Sequence, residues 1–140
     1  MEYDETSKRL TVTRMDGPED RDPTERESPA WIDIETAIRR LDGVACTLLV
    51  LGIGAPPVPH MAIGGGEGGQ YIVYTTADNK VFYKLINPAA PPGKCFLVAG
   101  GQRGDYDRRM CIGLAEVLRA AKTYAETGQE DAGLVWEKQG

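Results

Sequence analysis

Five apolar runs of strand length follow one another between Cys46 and Ala99, and the gaps between them are too short to hold a helix. Cys46 to Ile53 is continuous and apolar, the pattern of a central strand buried on both faces. Gly54-Ala55-Pro56-Pro57 breaks it, and Val58 to Ile63 reads as the next strand. Gln70 to Thr76, rich in β-branched and aromatic residues, is a third. Asp78-Asn79 then makes a turn, and Val81 to Ile86 is a fourth. After a Pro-rich connection from Asn87 to Gly93, Lys94 to Ala99 is a fifth. Parallel neighbours need a crossover of a dozen or more residues, so these runs predict an antiparallel meander.

The flanks carry a different period. Asp33 has the position of an N-cap, followed by Ile34, Ala37, Ile38 and Leu41 at helical spacing, with Gly43 as a left-handed stop. A second helical face runs from about Ile112 to Thr127 through Leu114, Leu118, Ala121 and Ala125, ended by Gly128. A strand from Arg9 to Arg14, stopped by Asp16-Gly17-Pro18, precedes the first helix, and a short one from Gly133 to Glu137 follows the second. The fold class is therefore α+β: a largely antiparallel sheet of about six to seven strands with two helices packed on one side. A chain of 140 residues suits a single domain, 1–140, with residues 16–28 as an acidic loop or linker.

Charge narrows the choice of partner. Residues 1–33 carry ten acids and five bases, while residues 34–140 carry eleven of each, so the net charge of −5 lies wholly in the N-terminal segment. Phosphate binding needs clustered Lys and Arg, which disfavours direct contact with nucleic acid. A basic protein is the better match, because complementary fields speed encounter. No apolar run approaches the length of a membrane span, and Met1-Glu2-Tyr3-Asp4-Glu5 does not open a secretory signal, so the expected location is cytoplasmic. The odd, scattered set of Cys46, Cys95 and Cys111 suits reduced, buried thiols better than a disulfide framework or zinc.

Signs of catalysis are few. His60 is the only histidine, and neither a nucleophile elbow nor a metalloprotease motif accompanies it. Gly64, Gly66 and Gly69 satisfy a dinucleotide-binding spacing, but the strand Tyr71-Ile72-Val73-Tyr74 follows where a helix N-terminus would have to receive the phosphates. A zinc deaminase needs H-x-E and P-C-x-x-C; the chain has His60-Met61-Ala62 and Pro92-Gly93-Lys94-Cys95. No enzyme, cofactor or metal is expected. Gly100 to Asp107 reads as an irregular Gly-rich loop in which Asp105 and Asp107 flank Tyr106, a composition suited to gripping a basic partner. The expected contact residues are Glu67, Asp78, Asp105, Tyr106 and Asp107, all placed at loop tips.

The C-terminal third carries a family pattern. Gly100-Gly101-Gln102 after a strand, the helix with Leu114-Ala115, Leu118 and Ala121, then Tyr124, Thr127-Gly128 and Leu134-Val135-Trp136 resemble the Imm family of bacterial polymorphic-toxin immunity proteins, antagonists of deaminase toxins. The likeness covers about residues 28–138, departing from the family at Ala99, where an aromatic is usual, and at Gln129-Glu130, where Arg-Pro is common. It implies a protein that binds a cognate toxin, a nucleic-acid deaminase domain, one to one and blocks its active site. It also implies structural roles for Gly100, Gly101 and Gln102, for Gly128 as helix stop and for Trp136 as core anchor. The alternative is a small-ligand-binding regulatory domain using the glycine-rich hairpin.

Overall fold

The computed structural model describes residues 10–14, 24–27, 30–53 and 59–139, with residues 10–14, 24–27 and 53 described by their backbone alone. Arg9, the stop at Asp16-Gly17-Pro18, the break at Gly54–Pro57 and Val58 lie outside the described residues. The elements in chain order are β1 (Leu10–Arg14), β2 (Thr24–Glu27), α1 (Trp31–Arg39), β3 (Leu48–Ile53), β4 (His60–Gly65), β5 (Gln70–Thr76) and β6 (Phe82–Ile86). They continue with β7 (Lys94–Ala99), β8 (Gln102–Asp107), β9 (Ile112–Gly113), α2 (Leu114–Thr127) and β10 (Val135–Gln139). The main sheet runs β10-β6-β5-β4-β3-β1-β2, with β9 beside β5 and every pairing antiparallel. Two helices on a mostly antiparallel sheet make this an α+β fold.

Strand alternation builds the core. Leu49 and Leu51, Met61 and Ile63, Tyr71 and Val73, and Leu85 meet Ile34 and Ile38 of α1 and Val117, Ala121 and Tyr124 of α2 in one buried cluster. Burying Ile34 and Ile38 stabilises by about 2 kcal/mol each, and a helix this short depends on such docking. Small Ala120 and Ala121, both fully buried, fit α2 closely into the cluster.

Several boundaries differ from those expected. Helix α1 begins at Trp31 with Ala30 as its N-cap, and Asp33 lies in the first turn, where its carboxylate accepts the Ala30 N–H at 2.8 Å. Gly43 does take φ +75°, but the helix has ended at Arg39, and the turn between is closed by Asp42. The Asp42 Oδ1 accepts the N–H groups of Val44, Ala45 and Cys46, which pulls Cys46 and Thr47 out of the next strand and lowers the Asp42 pKa. Strand β3 is buried on one face only: Leu49 and Leu51 are fully buried, while Leu48 and Val50 are half-buried. Helix α2 starts two residues later than expected because Ile112 is held in the core as part of β9 against β5.

Three corrections are larger. Part of the 16–28 loop is strand: Thr24–Glu27 pairs with β1, since a polar segment at a sheet edge needs backbone partners and no apolar face. The strand Lys94–Ala99 leaves the meander altogether and pairs only with β8, forming a separate two-stranded ribbon. Cys95 and Cys111, expected as reduced thiols, are joined as a disulfide between β7 and the turn before β9, with Cα atoms 6.8 Å apart. Cys46 is buried.

Candidate partner-binding surface

The ribbon is a hairpin where a loop was expected. Gly100 and Gly101, at φ +63° and +78°, form the two-residue connection that joins Ala99 to its partner Gln102. Two positive-φ residues are what a type I′ hairpin turn requires. The following Gln-Arg-Gly-Asp-Tyr-Asp has too few apolar residues to announce a strand, because one of its faces is solvent and Gly104 occupies the other. Its inner face is small but well anchored. Leu97 is fully buried, Cys95 and Cys111 are bonded, and Ile72 and Tyr106 pack around them. The Gly101 N–H donates to Thr47 Oγ1 at 2.9 Å. A Cβ on Gly64 would stand 2.6 Å from that of Ala99, so glycine on β4 is what lets the ribbon lie against the sheet.

This arrangement scatters the expected contact residues. Glu67 is exposed in the 3₁₀ turn Glu67–Gly69 between β4 and β5. Asp78 is exposed in the turn after β5, at its other end. Seven residues at about 3.4 Å each separate the two by about 24 Å. The Asp78 carboxylate accepts the N–H groups of Lys80 and Val81, which lowers its pKa and makes it a turn former. Asp105, Tyr106 and Asp107 lie within β8 rather than at a loop tip. Asp105 and Asp107 face outward, whereas Tyr106 turns inward opposite Cys95. Asp107 also accepts the Arg109 N–H, capping the 3₁₀ turn Arg108–Met110.

The outer face of the ribbon is mixed rather than acidic. Phe96 is 52% exposed, lies directly opposite Asp105, and has the Arg103 guanidinium over its ring at 5.3 Å. Lys94 stands opposite Asp107. Among the remaining residues singled out in the sequence, Gln102 is exposed and Gly128 ends α2 at φ +74°, its N–H donating to the Tyr124 carbonyl. Trp136 is half-buried against the main core and donates its Nε1–H to the Asp131 carbonyl at 3.0 Å.

A surface that sequence reasoning missed lies between the ribbon and the sheet. The face of β4, β5 and β6 turned away from the helices carries His60, Tyr74 and Phe82 as an edge-to-face ladder, with centroids 5.9 and 5.4 Å apart. A hollow of about 210 Å³ lies where Tyr106 and Met110 stand over Ile72, Tyr74 and Lys84. A second, of about 280 Å³, is lined by Tyr74, Phe82, Lys84 and Gln139. The two share Tyr74 and Lys84 and so form one groove. Burial raises the Tyr74 pKa. The period-2 alternation of β5 and β6 was the available signal, but only the departure of the ribbon from the sheet shows which part of that face the other described residues leave uncovered.

The glycine-rich hairpin is used inside the fold. At Gly66, with φ +110°, an added Cβ would overlap the Leu41 carbonyl, and at Gly43 one would fall 2.5 Å from the Glu67 Cβ. These glycines allow two backbones to approach, which is different from cradling a ligand. Among the described residues no three His, Cys, Asp or Glu side chains are grouped as a metal site requires. No helix of the described residues is long and apolar enough to cross a membrane.

The family model of the immunity protein Imm1 matches residues 22–138, a span running from β2 to β10. The chain belongs to the Imm1 immunity protein family. No curated protein matches it. The Imm1 match takes in both helices, the ribbon and the groove, so every surface described above belongs to the family's part of the chain. An Imm1 protein is an immunity protein against a toxin.

Proposed function

We propose that this Imm1 protein acts in the cytoplasm as the stoichiometric antagonist of a nucleic-acid deaminase toxin from a polymorphic toxin system. It binds the toxin one to one and blocks its active site without turning anything over. The observation that carries this reading is the Imm1 match across residues 22–138. Physical chemistry supports the mechanism. A deaminase acting on nucleic acid needs a basic groove for phosphate and a pocket for the extruded base, and a protein seated there excludes substrate with no chemistry of its own. Inhibitor complexes bury about 1,600 Å² in total, which this domain can supply. Of the contact residues expected from sequence, Asp105 is an exposed carboxylate on the ribbon, and Glu67 and Asp78 flank the sheet at its two ends.

The test first looks for a toxin domain encoded beside this chain's gene and then uses it. Co-expression should restore growth, and the purified pair should associate one to one with deamination of single-stranded DNA or RNA suppressed. A pair that neither associates nor changes the toxin's activity would overturn the proposal.

A further inference from the structure

The groove between the β7–β8 ribbon and the open half of the sheet has the features of a protein-binding site. Its floor carries Tyr74 and Phe82, already packed edge to face, with His60 against Tyr74 just outside it. Aromatic side chains in partly enclosed surfaces are the commonest anchors of tight complexes, since they bury large area for few frozen torsions. The wall is fixed in advance. The buried Leu97 and the Gly64–Ala99 approach hold the ribbon, and with it Tyr106, against the sheet. A wall that does not have to be ordered on binding lowers the entropic cost of association.

Charge selects the occupant. Lys84, half-buried between Tyr74 on β5 and Glu137 on β10, takes part in none of the ion pairs among the described residues. Glu137 is engaged instead by Arg109 at 3.5 Å. Among the described residues Lys84 is the one charged side chain that lines the groove, which makes it locally positive. A complementary partner therefore brings an apolar side chain for the rings and a carboxylate for the ammonium. This differs from the acidic-plug picture drawn from net charge, in which the immunity protein supplies the carboxylates. Two of those carboxylates, Asp78 and Asp107, are occupied by backbone N–H groups.

We infer that this groove is the toxin-docking site, and that it receives an apolar side chain of the toxin with an acidic residue beside it. The inference rests on the proposed antitoxin function and adds where and by what chemistry the toxin binds. The experiment measures affinity of the full chain for the adjacent-gene toxin domain, catalytically inactivated, with wild type and the variants Phe82→Ser, Lys84→Glu and Lys138→Glu. Lys138 is exposed on β10, and its side chain projects to the opposite side of the sheet from Lys84. Phe82→Ser and Lys84→Glu are expected to weaken binding by about 30-fold or more while melting near wild type, with Lys138→Glu binding normally. Should Phe82→Ser fold poorly, Lys84→Glu decides alone. Full-strength binding by both groove variants overturns the inference and leaves the antitoxin function standing. So does a wild-type dimer that these variants dissociate, because the groove would then hold a second copy of this chain. A wild type that binds no toxin removes both readings.

Discussion

Asp131 is the carboxylate on which the C-terminal end of the molecule is tied. It accepts hydrogen bonds from Thr123 Oγ1 at 2.7 Å, Arg119 Nε at 3.1 Å and the Gly133 N–H at 2.8 Å, while its own carbonyl receives Trp136. One residue thus joins α2 to the start of β10. Donors aimed at the ionised form, Thr123 first and then Arg119, hold its pKa down at about 2, against 3.8 for the free group. A carboxylate with a depressed folded pKa stabilises above its unfolded pKa and loses that contribution as pH falls through the folded value. The wild type should therefore lose stability between about pH 4 and pH 2 through this group. Asp131→Asn should start less stable at pH 7 and lose less over that window. Urea unfolding at pH 7, 4 and 2.5 checks this, and parallel curves for the two proteins would refute it.

At the scale of elements, the ribbon is where sequence and structure part most. Strands β5 and β7 were readable to the residue because their side chains alternate or are β-branched. Strand β8 was not, because Gln102 to Asp107 spends one face on solvent and gains its pairing from the Gly100-Gly101 turn. Asp105, Tyr106 and Asp107, expected at a loop tip, lie in this strand for the same reason, and a strand turns neighbours to opposite faces. The Cys95–Cys111 bond closes a loop over a separation of 16 residues, and such a closure contributes at most about 3 kcal/mol by restricting the unfolded chain. It persists only where the medium is not strongly reducing. Thiol titration of the protein unfolded without reductant should find a single reactive thiol, at Cys46, and three after reduction with a lower unfolding midpoint. Three thiols before reduction would show the pair unbonded.

For the whole molecule, the separation of charge predicts a separation of roles. The acidic excess lies in residues 1–33, whereas the groove lies in the neutral remainder and is itself locally positive. Long-range fields act on encounter, and packed contacts act on residence time. Raising salt from 0.05 to 0.5 M, which cuts the screening length several-fold, should slow association with a basic toxin domain by ten-fold or more. It should change the dissociation rate by less than about three-fold. Stopped-flow or surface-binding kinetics read both constants. A dissociation rate that climbs as steeply as association falls would place the binding energy in the acidic segment.

The residue pattern by itself determined the α+β class, the antiparallel pairing, both helical faces and the likeness to immunity proteins. Each of these follows from local periodicity or from motifs close together in the chain. Tertiary structure decided the rest: that Lys94–Ala99 leaves the sheet, that Cys95 meets Cys111, and that Glu67 and Asp78 stand at opposite ends of one strand. The aromatic groove is of this second kind. His60, Tyr74, Phe82 and Tyr106 come from four strands, and a side chain's exposure depends on what packs over it, which no local pattern records.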